Sequence, residues 1–312
     1  MSILNFLSKK FSRHSIIDRI QRTVTSKNKR MQMLKDYIQL TKPGIIIGNL
    51  ITAVGGFFLG LSTAFNTISF LAMFFGLTLV IAAGCVLNNI QDKAIDEKMK
   101  RTHNRVIVKG RVSIQAATYF GWILIALGLV ILSLFTNLLT SAAAVLGFIV
   151  YVFIYTPMKK NSIHGTLIGS IAGAVPPVVG YLAASGRLDL GAALVFVIIA
   201  LWQMPHFYAI ALYRMEEYKA ASVPVLPLIN GIASTKTQMF YYTLAFAFAS
   251  LLPYYFNYTG LMYVVITSGL GFYWVILAAQ GFKARCHVSW ARRMFKVSLL
   301  VVMGLSLMIA IG

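Results

Sequence analysis

Three side chains that carry oxygen recur at every fourth position of one run. Asn88, Asp92 and Asp96 lie in LNNIQDKAIDE (87–97), which follows a long apolar segment. If the helix of that segment continues past Asn89, the three side chains stack along one of its sides. Amide and carboxylate oxygens suit hard cations, and Mg²⁺ is usually held by one or two carboxylates together with substrate phosphates. The spacing therefore favours a Mg²⁺ site.

A dense group of basic residues follows these acids directly. Acids that hold a metal and bases that neutralise the remaining charge are what a metal-bridged diphosphate requires. A solvated loop that only sets membrane topology has a similar composition. The site is favoured because Asn88 and Asn89 end an apolar helix, where an unpaired amide is costly, and because carboxylates recur in the matching loop of the second half. The bases are Lys98, Lys100, Arg101, Arg105, Lys109 and Arg111.

The segments that must position these residues are long and apolar. Of 312 residues, 58% are hydrophobic and 12% are charged, whereas about a quarter are charged in soluble domains. A helix needs about 20 apolar residues to cross the hydrocarbon layer. The sequence therefore predicts an all-α integral membrane protein with about nine transmembrane helices. The predicted spans are 43–62, 67–90, 114–135, 137–157, 165–184, 189–212, 237–256, 259–280 and 294–311.

The net charge of +20 is divided unevenly between the two membrane faces. All but one of the 28 Lys and Arg residues lie in the first 42 residues or in alternate loops, as the positive-inside rule describes. This pattern argues against nucleic acid as a partner and for membrane lipid. We expect a basic cytoplasmic N-terminal arm (1–42) and a transmembrane domain (43–312) whose charged loops face the cytoplasm and whose C-terminus lies on the far side.

Three long runs resemble one family. They are NNIQDKAIDEKMKRTHNRVIVKGR (88–111), YTPMKKNSIHGTLIGSIAGAVPPVVGY (155–181) and LWQMPHFYAIALYRMEEYKAASVPVLP (201–227). The motif Asn88-xxx-Asp92-xxx-Asp96 resembles the first aspartate-rich motif of the intramembrane prenyltransferases, the UbiA superfamily. All three runs are similar to its heme-modifying branch. The resemblance extends from residue 38 to the C-terminus.

The resemblance implies a reaction and a location. A multi-pass enzyme of the cell (inner) membrane would surround an intramembrane substrate cavity with its helices. Farnesyl diphosphate and heme B would give heme O and diphosphate, and the 2-vinyl group of heme would become a hydroxyethylfarnesyl group. The product would be handed to a heme A synthase or a terminal oxidase.

The resemblance also implies roles for individual residues. Asn88, Asp92 and Asp96 would bind Mg²⁺ bridged to the diphosphate, as the catalytic metal site. Cationic side chains from three loops would grip the phosphate oxygens. These cations are Arg101, Arg105, Lys109, Lys159, Lys160 and Arg214.

The second carboxylate loop departs from the superfamily pattern. Many relatives carry Asp-xxx-Asp there, whereas this chain has EEYKAA (216–221), with Ala221 in the place of a second acid. A second metal held wholly by protein ligands is therefore not expected. Glu217 is a candidate metal ligand through water, a partner of Arg214, or a solvated acid.

One histidine lies within a predicted span. His206 falls near the cytoplasmic end of the sixth span, in WQMPHFY (202–208). A polar residue within a span indicates a function, and imidazole is a common ligand of heme iron. The alternative is a structural role, in which His206 is hydrogen-bonded to a neighbouring helix, close to the backbone group that Pro205 leaves without its helical hydrogen bond. We predict that His206, Tyr155 and Trp202 contact the heme.

Two other functions compete with this one. A prenyltransferase of another branch would act on an aromatic acid or a quinone precursor, but the run QMPHFYAIALYR (203–214) and the incomplete second acid pair favour heme. A secondary transporter usually places ionisable groups and broken helices near the bilayer midplane. In this chain the carboxylates cluster at one membrane face, which argues against transport.

Overall fold

The computed structural model describes residues 28–61 and 64–311, which form a bundle of helices with no strand among them. The helices in chain order are α1 (Asn28–Leu40), α2 (Pro43–Leu59), α3 (Thr67–Gln91), α4 (Lys93–Lys98), α5 (Ile114–Phe135), α6 (Leu138–Met158), α7 (Gly165–Ser185), α8 (Leu190–Tyr213), α9 (Met215–Ala220), α10 (Leu226–Ile229), α11 (Gly231–Ala249), α12 (Leu252–Tyr255), α13 (Leu261–Gln280) and α14 (His287–Ile311).

The described helices confirm a multi-pass membrane protein. Seven of them are long and apolar enough to cross a bilayer, namely α3, α5, α6, α7, α8, α13 and α14. An eighth span is present if α1 and α2, which meet at a bend of 49°, are counted as one broken span. The predicted count of nine is not confirmed. The candidate for the ninth, α11, carries the polar run STKTQ (234–238) near its start.

Two helices start earlier in the chain than the sequence predicted, and the reason is the same for both. The span predicted at 294–311 belongs to a helix that starts at His287, and the one predicted at 237–256 belongs to a helix that runs over Gly231–Ala249. Both helices begin with polar or cationic residues that hydropathy excludes from a span. Long cationic side chains near a helix end can reach the interface, so they do not stop the helix there.

Most buried apolar residues of the bundle belong to two large hydrophobic cores, and α7 contributes to both. The first core joins α2, α3, α5, α6 and α7, and the second joins α7, α8, α11, α13 and α14. Along the contact between α2 and α7, a Cβ at Gly56 would overlap the carbonyl of Pro177, and one at Gly180 would overlap the carbonyl of Ala53. Small residues thus let the two backbones approach closely, as in other membrane helix pairs.

A turn of π-helix interrupts α6 near its C-terminal end. It covers Val150–Tyr155, and the Thr156 hydroxyl donates to the Tyr151 carbonyl at 2.8 Å. Turns of this kind are frequent at functional sites because they change which side chains share a helix face. In this helix the turn stacks the rings of Tyr151 and Tyr155, with centroids 5.6 Å apart.

The end of the basic arm packs on the transmembrane region. An Arg111 Nη atom lies 3.4 Å from a carboxylate oxygen of Asp36, and the Asn89 amide donates to the Leu40 carbonyl at 2.9 Å. Residues 1–27, which carry most of the predicted arm, lie outside the described residues. A domain boundary at residue 42 stays a prediction.

Candidate active site

The end of α3 brings the three predicted oxygen ligands together. The amide of Asp92 donates to the Asn88 carbonyl at 2.9 Å, and the amide of Asp96 donates to the Asp92 carbonyl at 2.8 Å. Helical register therefore persists from α3 into α4, although Asp92 itself lies between the two helices. All three side chains are buried. The stacking predicted from the spacing is thus present.

Each of the three side chains holds one cation of the chain. The cations come from three separate segments, so the site is assembled by long-range contacts. The pairs are Lys42 Nζ with Asn88 Oδ1 at 2.5 Å, Lys159 Nζ with Asp92 Oδ2 at 2.6 Å, and Arg105 Nη1 with Asp96 Oδ2 at 2.6 Å.

The donor set fits Mg²⁺. The second carboxylate oxygen of Asp92, Oδ1, is buried and has no hydrogen-bond partner among the described residues. Asn88 donates its amide hydrogen to the Thr156 hydroxyl at 3.0 Å, so its carbonyl oxygen faces the cations. In the described ranges, no cluster of three or more His, Cys, Asp or Glu side chains forms a cage for a metal. Two carboxylates and an amide match a Mg²⁺ site completed by phosphate oxygens and water.

A polar cavity of about 400 Å³ opens beside these ligands. Five cationic side chains and two carboxylates line it, which leaves an excess of positive charge. A cleft with such an excess attracts anions, and guanidinium groups bind phosphate oxygens in pairs. The cations are Lys42, Arg101, Arg105, Lys159 and Arg214.

Two of the predicted phosphate-binding cations lie elsewhere. Lys160 donates to the Gln91 carbonyl at 2.6 Å and so binds the end of α3. Lys109 is exposed and does not line the cavity. The structure therefore brings four of the six predicted cations to the polar cavity.

Sequence reasoning missed Lys42. This residue precedes α2, and its backbone has a left-handed conformation, with φ of 53°. A non-glycine residue in this region is uncommon and is often found at functional sites. The signal in the sequence is a lysine directly before the proline that starts the first apolar run, within the segment predicted to form the basic arm.

The second carboxylate loop contributes differently from the first. Arg214 Nη1 donates to Glu217 Oε1 at 2.8 Å, while Glu217 Oε2 is buried without a partner among the described residues. Arg214 lines the polar cavity, and Glu217 does not. Beside them, burial raises the pKa of the Tyr218 hydroxyl, which therefore faces the cavity as a neutral donor.

An apolar cavity of about 590 Å³ continues from the polar one. Helices α2, α3, α6, α7, α8 and α14 form its wall, so it lies inside the bundle. Five residues line both cavities and mark the junction between them. They are Ile45, Tyr151, Tyr155, Phe207 and Ile210.

The predicted heme contacts lie on this apolar wall. Trp202 and His206 stack with ring centroids 4.8 Å apart, and both are bonded to Ser298 of α14. The Trp202 indole donates to the Ser298 carbonyl at 2.8 Å. Tyr155 lies at the junction, where the ammonium of Lys159 sits 5.1 Å from its ring centroid.

A cationic pocket with oxygen ligands, joined to an apolar cavity within a membrane bundle, defines a class of protein. It suits a substrate with an anionic head and a hydrocarbon tail, such as a prenyl diphosphate. The model of the UbiA prenyltransferase family matches residues 49–300, and the chain belongs to this family.

Relatives with a more specific name match almost the whole chain. A protoheme IX farnesyltransferase of Protochlamydia amoebophila (strain UWE25) is 46% identical over 277 residues, which cover 89% of this chain and 98% of the relative. One of Yersinia enterocolitica is 45% identical over 280 residues, which cover 89% of this chain and 95% of the relative.

Solved structures show the same fold at lower identity. A structure described as digeranylgeranylglyceryl phosphate synthase aligns with a TM-score of 0.75 at 21% identity, over 90% of this chain and 98% of the other. A UbiA homolog from Archaeoglobus fulgidus bound to GPP and Mg²⁺ aligns with a TM-score of 0.63 at 14% identity, over 89% of this chain and the whole of the other. These likenesses concern the fold alone.

Proposed function

We propose that this chain converts heme B to heme O. It transfers the farnesyl group of farnesyl diphosphate to the 2-vinyl group of heme, and it releases diphosphate. The observation that supports a prenyl diphosphate as the donor is the cationic pocket that opens into an apolar cavity. The acceptor is supported by relatives named protoheme IX farnesyltransferase, which are 43–46% identical over 89% of the chain.

The end of α3 would hold the metal. Asn88, Asp92 and Asp96 would supply the oxygen ligands for Mg²⁺, whereas Glu217, which binds Arg214 and does not line the cavity, stays a prediction as a ligand through water. When bound, Mg²⁺ would offset the charge that develops on the departing diphosphate. The cations Lys42, Lys159 and Arg105 already lie within hydrogen-bond distance of these ligands, so a short movement would direct them to phosphate oxygens.

The remaining cations orient the diphosphate. Arg101 and Arg214 line the polar cavity with Arg105 and Lys159 and would bind its oxygens. Lys109 and Lys160, which the sequence also predicted, stay predictions without support from the cavity. Charge spread over several fixed donors stabilises the leaving group without reorganisation, and this is usually the largest catalytic term.

The apolar cavity protects the farnesyl cation that forms when diphosphate leaves. Its hydrocarbon wall excludes bulk water, which would otherwise quench the cation. The stacked rings of Tyr151 and Tyr155 lie at the junction, where their faces can stabilise positive charge. Tyr155, Trp202 and His206 would contact the porphyrin.

The proposed orientation follows the charges. The protein would lie in the inner membrane of the cell. Its N-terminus and active-site loops would face the cytoplasm, and its C-terminus would lie on the far side. Heme O released into the bilayer would pass to a heme A synthase or a terminal oxidase.

The proposal can be tested in membranes of a host that makes no heme O. Membranes with the wild-type chain should convert added heme B and farnesyl diphosphate to heme O, which mass spectrometry of extracted hemes identifies. An aromatic acid or quinone precursor serves as the competing acceptor. Prenylation of that acceptor with no heme O would replace this function by the alternative one.

Arg105→Ala should weaken the binding of farnesyl diphosphate. The Arg105 guanidinium contacts the Asp96 carboxylate in the polar cavity. A hydrogen bond to a charged group contributes about 1.5–3 kcal/mol, so we expect KM for the diphosphate to rise about 10- to 100-fold. The initial rate at several diphosphate concentrations measures this change. Arg285→Ala, which removes an exposed cation outside the cavity, is the matched control. An unchanged KM in Arg105→Ala would exclude this role.

A further inference from the structure

The deep part of the apolar cavity contains an amide without a partner. Gln203 lines the cavity and is 5% exposed, and its Oε1 atom has no hydrogen-bond partner in the described part of the chain. Its amide packs on Gly173, where a Cβ would overlap it. An unsatisfied buried polar group costs about 1–3 kcal/mol, which indicates that a ligand or a water molecule completes it.

Other polar side chains of this wall are already satisfied. The Asn49 amide donates to the Ile45 carbonyl at 2.8 Å, and the Thr52 hydroxyl donates to the Asn49 carbonyl at 2.9 Å. Both therefore turn their hydrogen-bonding groups toward their own helix. Gln203 instead keeps an amide oxygen that is available to a polar ligand below Tyr151 and Tyr155.

The hydrogen bonds of Ser298 determine which nitrogen of His206 carries the proton. The Ser298 hydroxyl lies 2.6 Å from the Phe295 carbonyl and 2.7 Å from His206 Nδ1. A carbonyl can only accept a hydrogen bond, so Ser298 donates its single hydroxyl proton to the Phe295 carbonyl. Nδ1 of His206 must then donate to Ser298 Oγ. Its Nε2 keeps a free lone pair, as a neutral imidazole does.

Gln203 and His206 lie on one face of α8. They are three residues apart, so their side chains are neighbours, and both line the apolar cavity. Phe207, which lines the junction with the polar cavity, is four residues from Gln203, or about 6 Å along the helix axis. Gln203 therefore lies about one helical turn below the junction with the polar cavity, and His206 lies between Gln203 and that junction.

We propose that Gln203 and His206 hold the water molecule that becomes the hydroxyl group of the product. This inference rests on the proposed function. The C1–oxygen bond of farnesyl diphosphate breaks, and its electron pair leaves with diphosphate. The π electrons of the vinyl group then bond its outer carbon to farnesyl C1, which places the positive charge on the carbon next to the porphyrin.

Water completes the product at that carbon. Gln203 orients the water through its amide, a lone pair of the water oxygen forms the C–O bond, and Nε2 of His206 accepts the proton that is released. One farnesyl diphosphate, one heme B and one water thus give heme O, diphosphate and one proton. Without an oriented water, the cation loses a proton from carbon instead and gives an alkenyl heme that is lighter than heme O by one water.

The test is the ratio of heme O to alkenyl heme in membranes that express each variant. Gln203→Leu keeps the size of the side chain but removes the amide, so we expect this ratio to fall about tenfold. His206→Phe removes the base, and the ratio should fall about 100-fold. Gln203→Glu retains an acceptor oxygen and should keep heme O as the main product. In water labelled with heavy oxygen, the hydroxyl of wild-type heme O should carry the label.

Controls separate this inference from folding and from the proposed function. Thr243→Val removes a buried hydroxyl of α11 outside the cavity and should keep the wild-type ratio. An unchanged ratio in Gln203→Leu would overturn the inference, as would loss of both products in Gln203→Leu and Gln203→Glu, because the residue is assigned to a step after the C–C bond forms. Altered heme absorption with an unchanged ratio in His206→Phe would make His206 an iron ligand instead of the base. A wild-type chain that makes neither product would refute the proposed function itself.

Discussion

Asp92→Asn should lower the rate of heme farnesylation about 100-fold or more, while the protein stays folded in the membrane. The change removes one negative charge and almost no volume. Asp92 lies between α3 and α4, where its Oδ1 atom has no partner among the described residues and its Oδ2 atom binds Lys159 at 2.6 Å. The expected size of the effect follows from losing one fixed group that stabilises charge in the transition state.

The neighbouring acid offers a matched control for this variant. Glu97→Gln makes the same chemical change five residues further along, on an exposed side chain whose nearest cation is Lys93 at 4.0 Å. We expect nearly wild-type turnover from it, since surface ion pairs contribute little. The measurement is kcat for heme O formation at saturating Mg²⁺, with the folded fraction taken from size-exclusion chromatography. Wild-type kcat in Asp92→Asn would remove the metal role of this carboxylate.

Removal of divalent metal should abolish turnover and leave heme binding intact. A diphosphate leaves slowly unless its charge is offset, and the cations of the polar cavity are fixed in number. Membranes treated with a strong chelator should therefore lose heme O formation to the background rate. Addition of Mg²⁺ should restore it, and so should Mn²⁺, which accepts the same oxygen ligands.

This experiment needs its own control for damage by the chelator. The absorption spectrum of heme bound to the treated protein should remain unchanged, because the apolar cavity that would hold the porphyrin lies apart from the oxygen ligands. Full turnover after exhaustive chelation would mean that the cationic side chains alone release the diphosphate. The site on α3 would then need another explanation.

Local patterns in the sequence predicted the parts of this molecule that depend on a single helix. The spacing of Asn88, Asp92 and Asp96 placed three oxygens on one side because helical register is a local property, and the backbone bonds across Asp92 preserve it. Hydropathy found the apolar helices for the same reason. It placed the start of α14 late, because Arg292 and Arg293 lie inside that helix.

These local patterns could not predict contacts between distant segments of the chain. Lys159 and Asp92 are 67 residues apart, and Lys42 and Asn88 are 46 apart, so periodicity contains no information about either pair. The basic composition of the loops predicted several phosphate-binding cations but could not show that Lys160 binds the Gln91 carbonyl instead. Periodicity likewise could not show that the Gln203 amide oxygen is buried without a partner in the part of the chain that the structure describes.

The cations on the three oxygen ligands have a consequence for the order of binding. A divalent ion that arrives alone must compete with the chain's own ammonium and guanidinium groups for the same lone pairs, so we expect its affinity for the free enzyme to be low. A diphosphate that arrives with the ion gives those displaced groups new anionic partners. We therefore expect the two solutes to reinforce each other's binding, so that the enzyme takes up its donor as a complex of metal and diphosphate and not with a metal already in place.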